Sequence, residues 1–450
     1  MTRLRKYSLF LNAILIILYC ARSPENKDWE NAKSEDTIQA YSTYLRQYGE
    51  GEYAYSARIR IEQLEYHHAQ LGNTIQSYND FIRRHPQSSR SDSAKHQIEK
   101  MLNERHPAFR DIRSIKIIYN EPDQSSTGIQ RAARQILREA GVDANPFEEA
   151  ETDALLKINI EWTPLSGMYT DGSIRSSGAS VKGTFSFEIP GTFSLEKSFR
   201  GKREPLEFVQ GKHRNYTYTA LGIALRKSKY YPLFLEVTRD LFGPACIRNT
   251  MFKGYDSHIR SSARQVLGLS DDEAAGLAIA QLKNPDSIVR QNACELLGTL
   301  NNPRAADPLI KAYYKEPDKI VRREAIQALY FIVDSSHVDV FISALEDEHS
   351  EVREWAAISL KKLKHPASIS PLIAALNTKN NRIKKQIKDA LAGFGGLSVE
   401  PLIQALKEDD NYYKNDVRDA LSRITNQDLG TSYYRWIVWW RKNRSKFAND

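Results

Sequence analysis

Cysteine is scarce in this chain. Cys20, Cys246 and Cys294 are the only three among 450 residues, too few for a disulfide framework or a four-thiolate zinc site. Catalytic signatures are missing as well, since no H-E-x-x-H, phosphate loop, G-x-S-x-G elbow or paired C-x-x-C is present. Ser359 and Lys362 form an S-x-x-K tetrad, but no companion motif of that enzyme class follows, and they are assigned no catalysis. No metal or cofactor is expected, and the chain reads as a non-enzyme. Excess charge of one sign is modest, with 64 Lys and Arg against 56 Asp and Glu for a net +8. What is present, 41% apolar and 10% aromatic residues, is enough to bury several cores across about three domains. Wholesale disorder is excluded.

Arg3, Arg5 and Lys6 precede an apolar run from Tyr7 to Tyr19, then Cys20, then the polar stretch Arg22 to Asn26. At about 1.5 Å per residue this run reaches roughly 20 Å, short of the ~30 Å hydrocarbon core, so residues 1–20 read as an export signal and not a membrane span. A cysteine at this place resembles the processing site of bacterial lipoproteins, which implies diacylation of Cys20. Tyr19 and Ile17 depart from the small residue and the usual Leu of that pattern. Retention as a short anchor and ordinary cleavage are the alternatives. The implied location is the bacterial cell envelope, membrane-anchored and on the periplasmic side.

A shift of 37 positions superimposes Thr37-Ile38-Gln39 on Thr74-Ile75-Gln76, Tyr41 on Tyr78, Ala57 on Ala94 and Glu62 on Glu99. Within a copy, Ile38, Tyr41 and Leu45, then Ala57, Ile61 and Leu64, recur at three- and four-residue steps. Each copy is therefore predicted to be a pair of amphipathic helices, broken at Gly49 to Gly51 and at His85-Pro86. With Trp29 at its start, the segment 28–105 resembles the TPR-like modules of bacterial envelope lipoproteins. His67-His68 has no third ligand in view and reads as a solvated pair.

Residues 110–245 change period. Ile115, Ile117 and Tyr119 alternate, as do Leu156, Ile158 and Ile160, then Val181, Phe185, Phe187 and Ile189, with Pro190-Gly191 turning into Phe193, Leu195 and Phe199. The helical spacing of Ile129, Ala132, Ala133, Ile136 and Leu137 ends at Gly141. A small α/β domain of four strands is expected, with one helix across them and another near Leu233 to Phe242. Ser166 to Ser180 reads as a glycine- and serine-rich linker, either a mobile hairpin or a ligand loop. Between Lys197 and Lys229 nine basic residues face two acidic ones. Arg200, Lys202, Arg203, Lys212 and Arg214 are its candidates for an anionic lipid, lipopolysaccharide or glycan, with a solvated face as the plainer reading. Nucleic acid is an improbable partner for an exported chain.

Residues 256–426 carry the strongest pattern. Val289, Val321, Val352 and Ile383 recur at 32, 31 and 31 residues, each followed by Arg290, Arg322, Arg353 or Lys384. Four positions on stand Ala293, Ala325, Ala356 and Ile387, and eight on Leu297, Leu329, Leu360 and Leu391. Half-copies run from Ile259 to Leu267 and from Val417 to Ile424. Leu282, Tyr314, Leu345, Leu376 and Leu406, each with an apolar residue four earlier, mark a preceding helix, so every unit is a helical hairpin. Pro308, Pro371 and Pro401 are expected to open these first helices. The segment resembles HEAT repeats of the short bacterial, PBS-lyase-like type, in which Asp often precedes the second helix. Asp256, Asp286 and Asp318 fit, His349 and Asn380 do not, and an Asp-to-Arg ladder between units is expected. Trp355 stands where other units have Asn292, Glu324 and Gln386. It is therefore read either as an exposed anchor for a partner, with Arg323 and Glu324 of the neighbouring unit as further partner contacts, or as a ring packed against a neighbouring loop. Cys294 falls in the core, Cys246 in a linker. Trp436, Trp439 and Trp440, within residues 427–450, lie on one helical face that caps the last repeat.

The fold class is multidomain and mainly α: TPR-like hairpins, a small α/β domain and an α-α solenoid. The expected function is an exported, lipid-anchored envelope scaffold that binds protein partners through its repeats. Its alternatives are a HEAT-like enzyme of the bilin-lyase or DNA-glycosylase type, or small-ligand binding by the α/β domain.

Overall fold

A computed structural model describes residues 24–120, 129–144, 152–170, 173–203, 230–254, 257–407 and 413–447. The apolar amino-terminal run with Cys20, expected to be an export signal, and Lys212, Arg214 and Asp256 lie outside the described residues. The protein is multidomain and mainly helical, and its chain divides into two compact units, Met1–Leu267 and Gly268–Asp450. Among the described residues no helix is long and apolar enough to cross a membrane.

The first unit opens with α1 (Pro24–Glu35) and two hairpins, α2 (Ile38–Gln47) with α3 (Ala54–Gly72) and α4 (Ile75–Arg84) with α5 (Ser89–Asn103). The 37-residue period proves to be a period of hydrogen bonds. Asp36 and Asn73 both adopt left-handed backbone, with φ of 49° and 46°, which short polar side chains tolerate best after glycine. Thr37 and Thr74 then cap α2 and α4 by accepting the Ala40 and Ser77 N–H. One turn on, the Tyr41 and Tyr78 hydroxyls donate back to Asp36 Oδ1 at 3.0 Å and Asn73 Oδ1 at 3.3 Å. Ala57 and Ala94 are fully buried, so the helices of each hairpin can approach closely. Glu62 departs from the symmetry. It accepts from Ser88 and Arg90 of the second hairpin, while its counterpart Glu99 is exposed.

Strands β1 (Ile115–Asn120), β2 (Ala154–Thr170), β3 (Ser173–Ile189) and β4 (Phe193–Arg203) form one sheet in the order β1-β2-β3-β4. β1 and β2 are parallel, and α6 (Ile129–Glu139) supplies the crossover that parallel strands require. The other pairings are antiparallel. Phe185 and Phe187 are fully buried and meet Phe234 of α7 (Tyr230–Phe242). Residues 166–170 and 173–180 are not a linker. They continue β2 and β3, which stay paired out to Thr170 and Ser173 with register shifts around Ser166. A bulge of this kind absorbs an extra residue without ending the strands.

Short helices α8 (Ala245–Arg248) and α9 (Thr250–Lys253) lead into α10 (Ser257–Leu267). Hairpins and sheet are sewn together by buried polar groups. Glu139, at the end of α6, accepts from Thr74 Oγ1 at 2.9 Å, Asn249 Nδ2 at 3.1 Å and Lys253 Nζ at 3.3 Å. The buried Arg105 guanidinium donates to the carbonyls of Phe109, Ile112 and Ala140, and burial pulls its pKa down to about 10. The expected boundary near residues 105–110 thus falls inside one compact unit.

The second unit consists of α11 (Asp271–Gln281), α12 (Ser287–Leu300), α13 (Ala306–Lys315), α14 (Lys319–Ile332), α15 (Val338–Ala344), α16 (Ser350–Leu363), α17 (Ile369–Ala375), α18 (Asn381–Gly393), α19 (Gly396–Ala405) and α20 (Lys414–Thr425). Each odd-numbered helix pairs with the next, and α12, α14, α16, α18 and α20 pack in series. The valine, alanine and leucine columns are 2% exposed or less throughout. One marker shifts: Tyr313 is buried and Tyr314 is 56% exposed, because this unit carries one extra residue ahead of Val321. Pro308 and Pro371 sit in first turns, but Pro401 lies inside α19, where its missing N–H breaks a helical bond. Finally, α21 (Tyr433–Asn443) packs on α19. Its fully buried Trp436 donates Nε1–H to the Gly430 carbonyl at 2.7 Å.

Candidate interaction surface

The second-helix arginines clasp their own hairpin turns. Arg290 Nη1 donates to the carbonyls of Asn284 and Pro285, Arg322 to those of Glu316 and Pro317, and Arg353 to those of Asp347 and Glu348. The rest of the guanidinium reaches the next turn. Arg290 pairs with Glu316 at 2.8 and 2.7 Å, and Arg322 with Asp347 at 2.9 and 3.1 Å. These acids are not the helix caps expected of the ladder. Asp286, Asp318 and Asn380 cap α12, α14 and α18, whereas Glu316 and Asp347 stand two residues earlier and accept the Asp318 and His349 N–H. One column therefore satisfies helix ends while another neutralises guanidinium groups. Burial pushes the Asp347 carboxyl up, but the Arg322 hydrogen bond and the His349 N–H outweigh it and hold its pKa below the usual carboxylate range. The series stops at Arg353, because Thr378 occupies the place of Glu316 and Asp347 and accepts only the Asn380 N–H.

A separate set of pairs lies on the more exposed side of the same helices. Arg323 reaches Glu351 at 2.8 Å, Arg382 reaches Glu354 at 2.6 Å and Arg423 reaches Asp389 at 2.5 Å. Arg323 also pairs with its neighbour Glu324. Trp355 is not the exposed anchor that its column suggested. It is half-buried and tilts against Tyr330 of the preceding hairpin with ring centroids 5.8 Å apart, and Asn292 of its column is itself buried. The column points into a helix–helix seam. Phe331, by contrast, is 48% accessible and edge-on to Tyr330. Lys362 Nζ lies 4.5 Å above the Tyr330 ring and donates to its carbonyl. Sequence reasoning passed over Phe331, which shares a column with Thr299 and Lys362. It also passed over residues 361–388, where eight Lys and Arg stand with no acidic residue. A sliding count of charge finds that band.

Of the anionic-surface candidates, Arg200 and Lys202 are exposed on β4, the edge strand, opposite Lys182 and Ser180. Arg203 is the last residue of β4. Cys246 is not in a loop. It is buried in α8, its thiol donates to the Gly243 carbonyl, and burial pushes its pKa up to about 12. Burial likewise raises that of Cys294, so neither thiol is poised as a nucleophile. His67 is exposed, but His68 is partly buried, which lowers its pKa to about 4. Ser359 is buried and commits its hydroxyl to the Trp355 carbonyl at 2.8 Å. Among the described residues no group of three or more His, Cys, Asp or Glu is placed to hold a metal ion.

Stacked hairpins with conserved-length units, interunit arginine clasps and a terminal cap define a helical-repeat protein. Residues 249–330 and 333–423 match the family of HEAT repeats, so the C-terminal region is a HEAT-repeat array. No curated protein matches the chain.

Proposed function

We propose that this protein is an exported scaffold of the bacterial envelope, anchored through a lipid on Cys20, whose HEAT repeats hold a protein partner without breaking a bond. Support for binding comes from how the repeat spends its side chains. The apolar columns and the Arg290 and Arg322 clasps are consumed in holding hairpin to hairpin, while the opposite side of the second helices keeps an exposed phenylalanine and lysines. Support for export comes from the charged and apolar order of residues 3–20 alone. Arg200 and Lys202 would meet an anionic envelope component from the edge strand.

Two measurements test this reading. Metabolic labelling with a palmitate analogue is expected to tag the wild-type chain and not Cys20→Ala, and labelling of neither removes the lipid anchor. Crosslinking of the full chain in its native cell is expected to join lysines of residues 268–450 to another protein. Crosslinks confined to the chain itself remove the scaffold role.

A further inference from the structure

We propose that the aromatic and lysine patch at the C-terminal ends of α14 and α16 seats an acidic protein segment bearing one apolar anchor residue, an inference that rests on the binding role argued above. Its floor is built from two hairpins. Phe331 lies edge-on to Tyr330 with centroids 5.0 Å apart, and Tyr330 in turn tilts against the half-buried Trp355. Because Tyr330 and Trp355 are held by their neighbours, the 48% of Phe331 left exposed is a fixed apolar shelf and not a waving side chain.

Charge sets this end of the face apart. Further along it, Arg323, Arg382 and Arg423 are each answered by a carboxylate. Lys361 and Lys364 are exposed and, among the described residues, make no ion pair, while Lys362 is spent on Tyr330. Lys364 adds an independent sign. It ends α16 in left-handed backbone with φ of 51°, a conformation that the equivalent ends at Asn301 and Asn426 give to asparagine. Lysine pays a steric cost there that asparagine largely avoids, so the fold alone does not account for it.

The mixture of signs selects the partner. A flat anionic membrane laid on this face would also meet the exposed Glu351, whereas a short segment that rests one apolar side chain on Phe331 and turns carboxylates to Lys361 and Lys364 avoids it. The probe is a fluorescein-labelled peptide of about twelve residues with a central Leu-Phe flanked by glutamates, titrated with the full-length protein and read by anisotropy. It should bind with a strong salt dependence, and at least tenfold more tightly than versions with Gln for Glu or Ala for Leu-Phe. Phe331→Ala, and Lys361→Gln combined with Lys364→Asn, should each weaken it fivefold or more while the thermal midpoint is kept, since these side chains are exposed. Unchanged affinity in both variants overturns the location and leaves a binding role for the repeats standing. Equal affinity for the Gln peptide, absence of peptide binding, or binding of phosphatidylglycerol vesicles in its place overturns the partner class.

Discussion

The hairpins of residues 38–103 and those of residues 271–425 both repeat, but different chemistry recurs in them. In the first, each copy closes on itself through local hydrogen bonds: a left-handed Asp or Asn, a threonine cap and a tyrosine hydroxyl bonded back to the start. In the second, each copy closes on its neighbour through a guanidinium that serves its own turn and the next carboxylate. A bond made inside a unit stabilises that unit wherever it sits. A bond made between units stabilises only the stack, as expected of a nearest-neighbour array. The first hairpins therefore need an external tie, and Glu139 provides it.

The sharpest way to break this comparison is Arg322→Ala. It strands Asp347, whose side chain is 6% exposed, and should destabilise residues 268–450 by about 3 to 4 kcal/mol in urea unfolding. A loss no larger than that of a tyrosine hydroxyl would show that the interunit clasp is ornamental. Next is Glu139→Ala, which leaves Thr74 and Asn249 without their acceptor. It should cost about 2 kcal/mol in the unfolding of residues 24–267, with little effect on the HEAT array. The two regions should also fail in different pH windows. His68 has a folded pKa of about 4 against about 6.5 unfolded, so its contribution is complete above pH ~6.5 and is lost as pH falls towards 4. Asp347 has a depressed folded pKa, so its contribution is present above the unfolded value of about 3.9 and is lost as pH falls through the folded one. His68→Gln should flatten the first loss and leave the second, measured by thermal unfolding across pH. Smallest are Tyr41→Phe and Tyr78→Phe, each expected to cost about 1 kcal/mol and to act alike, because the two hydroxyls do the same job.

Periodicity made the architecture legible. Columns at four- and eight-residue steps report burial directly, so the valine, alanine and leucine positions and the tryptophan cap were readable, whereas the cap role of Thr37 and Thr74 was not. What periodicity does not carry is the partner of a side chain. Arg322 was placed correctly and matched to the wrong acid, since the cap and the clasp lie two residues apart on the same turn. Tyr313 was displaced by one because a single extra residue resets the helix without disturbing the next column. Trp355 looked exposed because its neighbours in the column are polar, yet its cover, Tyr330, comes from another unit. The lysine-rich stretch after Leu360 was open to counting, but counting by column hides charge that runs along the chain.

Thr378 gives the array a seam. The joint between α16 and α18 lacks the buried guanidinium latch of the two joints before it, and its ion pair runs through Arg382, whose side chain is 77% exposed. Beyond it, Lys384 and Lys388 grip Asp416 and hold α18 to α20. With no buried guanidinium latch to lose, this joint leans on the packing of α16 against α18, and acid or salt would loosen it less than the joints on either side.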